Sequence, residues 1–158
     1  MPAIKNTGLK ILFLTVLLPA FFSCDKKQEK PIVNSNEITL IKLSNVGGQL
    51  GSYRNIKVSK DSISIEQGIL SRNTHKKWSS AITHETWNQL SSSIDVKTLD
   101  KIKSSESKQA EDGIDETFQI KTPKQSHVFV NSYNDTIHYK QFEKFKSQLE
   151  KILPKEYR

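Results

Sequence analysis

Short runs in which every second side chain is apolar, set apart by turn residues, constrain this chain more than any other feature. Strand side chains alternate between two faces, so a period of two buries one face and wets the other. From Glu37, the residues Ile38, Leu40, Ile41 and Leu43 mark a first strand, followed by a loop over Ser44-Asn45-Val46-Gly47-Gly48-Gln49-Leu50-Gly51. A second strand runs from Tyr53 to Ser59, with Tyr53, Ile56 and Val58 as its apolar members. Lys60-Asp61 turns the chain, and Ser62 to Gln67 returns with Ile63 and Ile65 alternating against Ser64 and Glu66. This is a hairpin. A fourth strand is expected over His75 to Ala81, with the Trp78 ring over the sheet and its indole nitrogen at the edge.

The period then changes. Thr83 is placed to cap a helix with Glu85 in its first turn, and Trp87, Leu90 and Ile94 fall on one face. Leu99 and Ile102 suggest a short second helical piece before the polar loop Ser104-Ser105-Glu106-Ser107-Lys108, which runs to Glu111-Asp112-Gly113. Asp-Gly is a turn signal. Phe118 and Ile120 define another strand, Thr122-Pro123-Lys124-Gln125 a turn, and His127 to Asn131 the returning arm with Val128 and Val130 on one face. The chain ends in an amphipathic helix: Phe142, Phe145, Leu149 and Ile152 form a stripe with Leu153 beside it, Lys and Glu cover the other side, and Pro154 stops it. Such a stripe normally packs on the open face of a sheet. The pattern specifies an α+β fold: one small domain with an antiparallel sheet of five to six strands built from hairpins, packed against a central helix and a C-terminal helix.

Before residue 37 the composition is different. Lys5 and Lys10 precede an apolar run from Ile11 to Phe22, and the small residue Ser23 stands before Cys24, the single cysteine. About 12 apolar residues reach roughly 18 Å as a helix, against a hydrocarbon core of about 30 Å, which is the length of an export signal. The layout resembles that of bacterial lipoproteins, in which the thiol at this position receives a diacylglycerol. Phe21 and Phe22 depart from the usual Leu-Ala/Ser at the first two positions of that motif, while Ser23 agrees. An ordinary cleaved signal fits less well, because Phe21 stands where a small residue is wanted, and an uncleaved anchor is the other alternative. The expected organisation is a signal peptide over 1–23, a lipidated Cys24 with a flexible tether over 24–36, and the domain over 37–158. The expected address is the cell envelope, on the outer membrane or facing the periplasm.

Cleavage would remove Lys5 and Lys10 from the 24 Lys and Arg, leaving 22 against 17 Asp and Glu, a net charge of +5. That balance suits a solvated surface of mixed charge, or attraction to anionic head groups or an acidic partner. Nucleic acid is not an expected partner of an exported chain. With Cys24 lipidated no thiol remains for a disulfide or a cysteine-ligated metal.

Motifs for chemistry are sparse. His75, His84, His127 and His138 lie on separate elements without paired spacing, and there is no Gly-x-Ser-x-Gly elbow. The sequence leads us to expect no catalytic residue, no metal site and no cofactor. Gly47-Gly48-Gln49-Leu50-Gly51 lacks the Lys-Ser/Thr of a phosphate loop, so it reads as a tight turn or bulge, with a ligand-contacting loop as the alternative. Glu111, Asp112, Asp115 and Glu116 miss the alternating spacing of a calcium loop and read as a solvated turn. Candidate binding positions are Gly47, Gly48, Gln49, Gly51, Asp112, Gly113 and Asp115.

A Gly-Gly-x-x-Gly loop after the first strand, a central helix, the Asp112-Gly113-Ile114-Asp115 turn, a late hairpin and an amphipathic last helix are together similar to a group of small, uncharacterised bacterial envelope lipoproteins. The same order loosely resembles emfourin-like inhibitors of thermolysin-type metalloproteases. The expected function is a lipid-anchored, non-catalytic envelope protein that binds another protein through loops and sheet surface. The alternatives are an inhibitor of a secreted metalloprotease and a small-ligand carrier.

Overall fold

Six strands pair into one antiparallel sheet: β1 (Leu40–Gly47), β2 (Ser52–Ser59), β3 (Ser62–Ile69), β4 (Thr74–Ala81), β5 (Ile114–Lys121) and β6 (Ser126–Val130). The computed structural model describes residues 36–158; the export segment, Cys24 and the tether up to residue 35 lie outside the described residues. The spatial order is β4-β3-β2-β1-β5-β6. β1 to β4 form a meander, and the β5–β6 hairpin adds to the free side of β1.

Register decides which side chains enter the core. Ile41 and Leu43 of β1 stand beside Val58 and Ile56 of β2 on one side and Ile120 and Phe118 of β5 on the other. Ile63 and Ile65 of β3 continue the same face, and all eight are buried. The helices α1 (His84–Ser91) and α2 (Lys140–Ile152) cover this face through Trp87, Leu90, Phe142, Phe145 and Leu149. At the centre, the Phe118 and Phe142 rings stack with centroids 4.1 Å apart, and Phe145 meets Phe118 edge-on at 6.1 Å. Burying one such ring contributes about 1.5–3 kcal/mol. Trp78 is half-buried against this core, with its ring 6.3 Å from that of Tyr157.

The caps explain the helix ends. Thr83 Oγ1 accepts the Thr86 N–H at 3.1 Å, as its position suggests. α1 stops at Ser91, short of Ile94, because Ser91, Ser92 and Ser93 turn their hydroxyls back onto the carbonyls of Asn88, Gln89 and Leu90. Ile94 still reaches the core from the following turn. Leu99 and Ile102 are buried around a 3-10 helix, Val96–Lys101, whose first turn is capped by Asp95. In α2 the stripe holds except at its end, where Ile152 is partly exposed and Leu153, one residue past the helix, is buried instead.

Two stretches differ from the sequence expectation. The loop expected over residues 44–51 begins four residues later, because Ser44 to Gly47 pair with β2 on one side and β5 on the other. Ladder bonds on both edges override the weak strand preference of Ser, Asn and Gly. In β6, Val128 and Val130 do share a face, but it is the open one. Phe129 points into the core, its ring 5.5 Å from Phe142, because the larger side chain gains more from burial.

Candidate functional site

Three turns converge at one end of the sheet, the end at which β1 finishes and β5 begins. The β1–β2 turn is built on glycine: Gly47 has φ 137°, Gly48 φ 78° and Gly51 φ 64°. At Gly47 a Cβ would lie 2.2 Å from the Gly113 carbonyl oxygen, so only glycine permits this approach. The Gly48 N–H donates to that same oxygen at 3.0 Å, and Gln49 Nε2 reaches Asp112 Oδ2 at 3.4 Å. On the other side, Leu70 and Ser71 of the β3–β4 turn donate their N–H groups to the Gly51 and Leu50 carbonyls at 3.0 and 3.1 Å.

Around this glycine turn stand three large apolar side chains without cover. Leu50 is 46% exposed, Leu70 72% and Ile114 51%. Leu70 lies against Gly51 and Ile114 against Gly48, so the three flank one turn. Isolated exposed leucines are ordinary on a protein surface, whereas several on one loop cluster mark a contact surface. The chain enters the sheet at Leu40, at the opposite end of β1. Eight residues at about 3.3 Å each separate the two ends by roughly 26 Å.

The loop before β5 is braced from behind by Asp115. Its carboxylate accepts from Ser107 Oγ at 2.6 Å, the Lys108 N–H at 2.7 Å and Asn131 Nδ2 at 2.7 Å. These donors, the Ser107 hydroxyl first and then the Lys108 amide, hold its carboxyl below the usual range against the opposing effect of burial. Asn131, fully buried at φ 48°, also donates to the Glu106 carbonyl and accepts the Glu116 N–H through Oδ1. Lys108 Nζ sits 4.9 Å from the centre of the Tyr133 ring. The Asp112-Gly113 turn is therefore carried on a fixed base.

Glu116 serves the other face. It accepts from Tyr139 Oη at 2.5 Å and from Lys146 Nζ at 2.8 Å, which ties β5 to α2. Burial, together with the bond to Glu116, pushes the Tyr139 hydroxyl up to about 12, so it keeps its proton and donates. Burial lowers the Lys146 ammonium, but the bonds to Glu116 and Tyr139 outweigh it and the net direction is up. Nearby, Arg54 Nη2 donates to Glu150 Oε1 and to the Tyr157 carbonyl, both at 2.8 Å, fixing the C-terminus of the chain. These contacts fasten the helix to the sheet.

The expected binding residues therefore divide. Gly47, Gly48, Gln49, Gly51, Asp112 and Gly113 come together at the tip, while Asp115 stands behind it as a brace. The solvated acidic turn is corrected: Asp115 and Glu116 are withdrawn to opposite sides of β5, and only Glu111 and Asp112 remain on the loop. Each histidine is placed apart from the others. His75 Nδ1 is 2.7 Å from Tyr53 Oη, His127 Nδ1 3.4 Å from Asp100, His138 Nδ1 3.0 Å from Asp135, and His84 opens α1. Among the described residues no three His, Cys, Asp or Glu side chains gather where they could hold a metal ion. Among those residues, too, no helix is long and apolar enough to cross a membrane. Leu50, Leu70 and Ile114 were not among the sequence candidates, although an apolar residue inside or just beside a glycine, serine or aspartate turn is the signal that would have marked them. No family model matches the chain, and no curated protein matches it.

Proposed function

We propose that this chain is a lipid-anchored, non-catalytic binding module of the cell envelope that offers its loop tip to a protein partner. The convergence of Leu50, Leu70 and Ile114 on the glycine turn, at the end of β1 away from the chain's entry into the sheet, carries the reading. A tether joined at Leu40 would direct that tip away from the anchoring membrane. A built turn with an apolar crown and a polar rim of Gln49, Gln109 and Asp112 suits protein contact, in which an apolar centre is surrounded by hydrogen-bonding groups. The anchor is proposed at Cys24, on the export layout that precedes it.

The test uses the full chain in detergent, immobilised at its C-terminus and exposed to envelope and culture-medium fractions. A single protein retained near one-to-one by the wild type, and lost by Leu50→Glu/Leu70→Glu at an unchanged melting temperature, supports the tip. Equal retention by both forms overturns it. A retained metalloprotease whose activity falls stoichiometrically would specify the partner as an inhibited enzyme. Unchanged membrane fractionation and palmitate labelling in Cys24→Ala would overturn the anchor.

A further inference from the structure

The sheet face turned away from the helices carries a second surface. On it, Lys42 of β1 and Lys57 of β2 are direct cross-strand partners, and both are exposed. Side chains in that relation lie about 4.5–5.5 Å apart at Cβ, and like charges so placed repel. None of the ion pairs among the described residues includes either lysine. The single carboxylate nearby, Glu66, stands across from Lys77 in the register and lies 3.6 Å from His75 Nε2. Ser64, the next residue across from Lys57, is small, and Ser44 is bonded to Asn55, so the floor is low. The result is a depression of about 380 Å³ lined by Lys42, Lys57 and Lys77.

We propose that this trough receives an acidic, extended segment of a protein partner, with a carboxylate seated between Lys42 and Lys57. The inference rests on the binding-module reading and adds the chemistry of the partner. A carboxylate there converts a repulsive pair into a bridged one, which gives the site a preference for that charge. The concave floor admits a side chain better than a flat membrane surface, and Glu66 at its margin disfavours a densely anionic ligand. A polypeptide satisfies both, because in extended chain alternate side chains face one way and the intervening ones need not be acidic.

The test takes the full chain in detergent and a fluorescent twelve-residue peptide alternating Glu with Thr. Anisotropy should show binding that weakens as salt rises, because exposed charges are screened within about 3 Å at 1 M. Lys42→Glu or Lys57→Glu should weaken it at least about tenfold. Each of these variants places opposite charges across the ladder, so its melting temperature should hold or rise, which separates lost binding from lost fold. The Leu50→Glu/Leu70→Glu variant should bind the peptide as the wild type does, so failure of the tip and failure of the trough are read separately. A peptide with Gln for Glu that binds equally, or charge variants that bind equally, would overturn the proposal. So would phosphatidylglycerol vesicles or polyphosphate that compete through the same lysines and bind more tightly than the peptide, since they would assign the trough to an anionic surface.

Discussion

Asp115 and Glu116 are neighbours in the chain, yet their carboxylates act on opposite faces of the sheet. Asp115 gathers Ser107, Lys108 and Asn131 under the tip, and Glu116 joins Tyr139 and Lys146 under α2. The alternation of a strand makes this division, so one dipeptide links the loop end to the helical layer.

Asn131 is the residue on which the Asp115 side most depends. Replacing it with Ala removes donors to Asp115 and the Glu106 carbonyl and leaves the Glu116 N–H without its acceptor. Each buried group left unsatisfied costs about 1–3 kcal/mol, so Asn131→Ala should lower the urea midpoint clearly, with an unchanged slope.

Acid should unfold the domain from this same region. Asp115 lies below its ordinary 3.8, and Asp135, which accepts the His138 N–H first and then bonds from the His138 ring and the Lys103 and Ile137 amides, is lowered from 3.8 to about 2. Because both folded carboxyls release protons more readily than the unfolded chain, their contribution is complete above the unfolded value. It is lost as pH falls toward about 2. Melting temperature should therefore drop across that window, and less steeply in Asp135→Asn than in the wild type.

Gly47→Ala should detach the tip from its base. The new methyl would meet the Gly113 carbonyl at 2.2 Å, at a φ of 137° that side chains rarely adopt. Strain of this kind costs about 1–3 kcal/mol. Amide exchange at Gly48, which bonds the Gly113 oxygen, should rise more than exchange at the centre of β1.

Lys57→Glu should stabilise the domain by about 0.2–1 kcal/mol, since an opposed like pair becomes an opposed unlike one. Denaturation at low and at 1 M salt checks it: the gain should shrink when screening is strong.

The strands, both helices and the α+β class were legible because period-two and helical stripes each record one buried face. Trp87, Leu90, Phe142, Phe145 and Leu149 were readable for that reason. What was not legible came from partners distant in sequence. Ser44 to Gly47 look like loop until β5 arrives beside them, and Asp115 looks solvated until Asn131 and Ser107 close over it. Phe129 and Val128 could each have faced inward by pattern alone, and only the register with Phe118 and Gln119 decides. The glycine turn was visible in the sequence, but its crown was not, because Leu50, Leu70 and Ile114 come from three segments that meet only in the fold.

The position of β1 sets the order in which the molecule can be assembled. Its pairing with β2, and the pairings of β3 and β4, need only short turns, so the first four strands can associate as soon as residue 81 is available. Their apolar face then has no lid. The rings that cover it, Phe142 and Phe145, lie near the end of the chain, and the second neighbour of β1 begins only at Ile114. During synthesis or passage through a membrane pore, half of the future core would therefore stand bare until the last helix emerges. The final residues govern when this protein stops being a sticky sheet and becomes a finished domain.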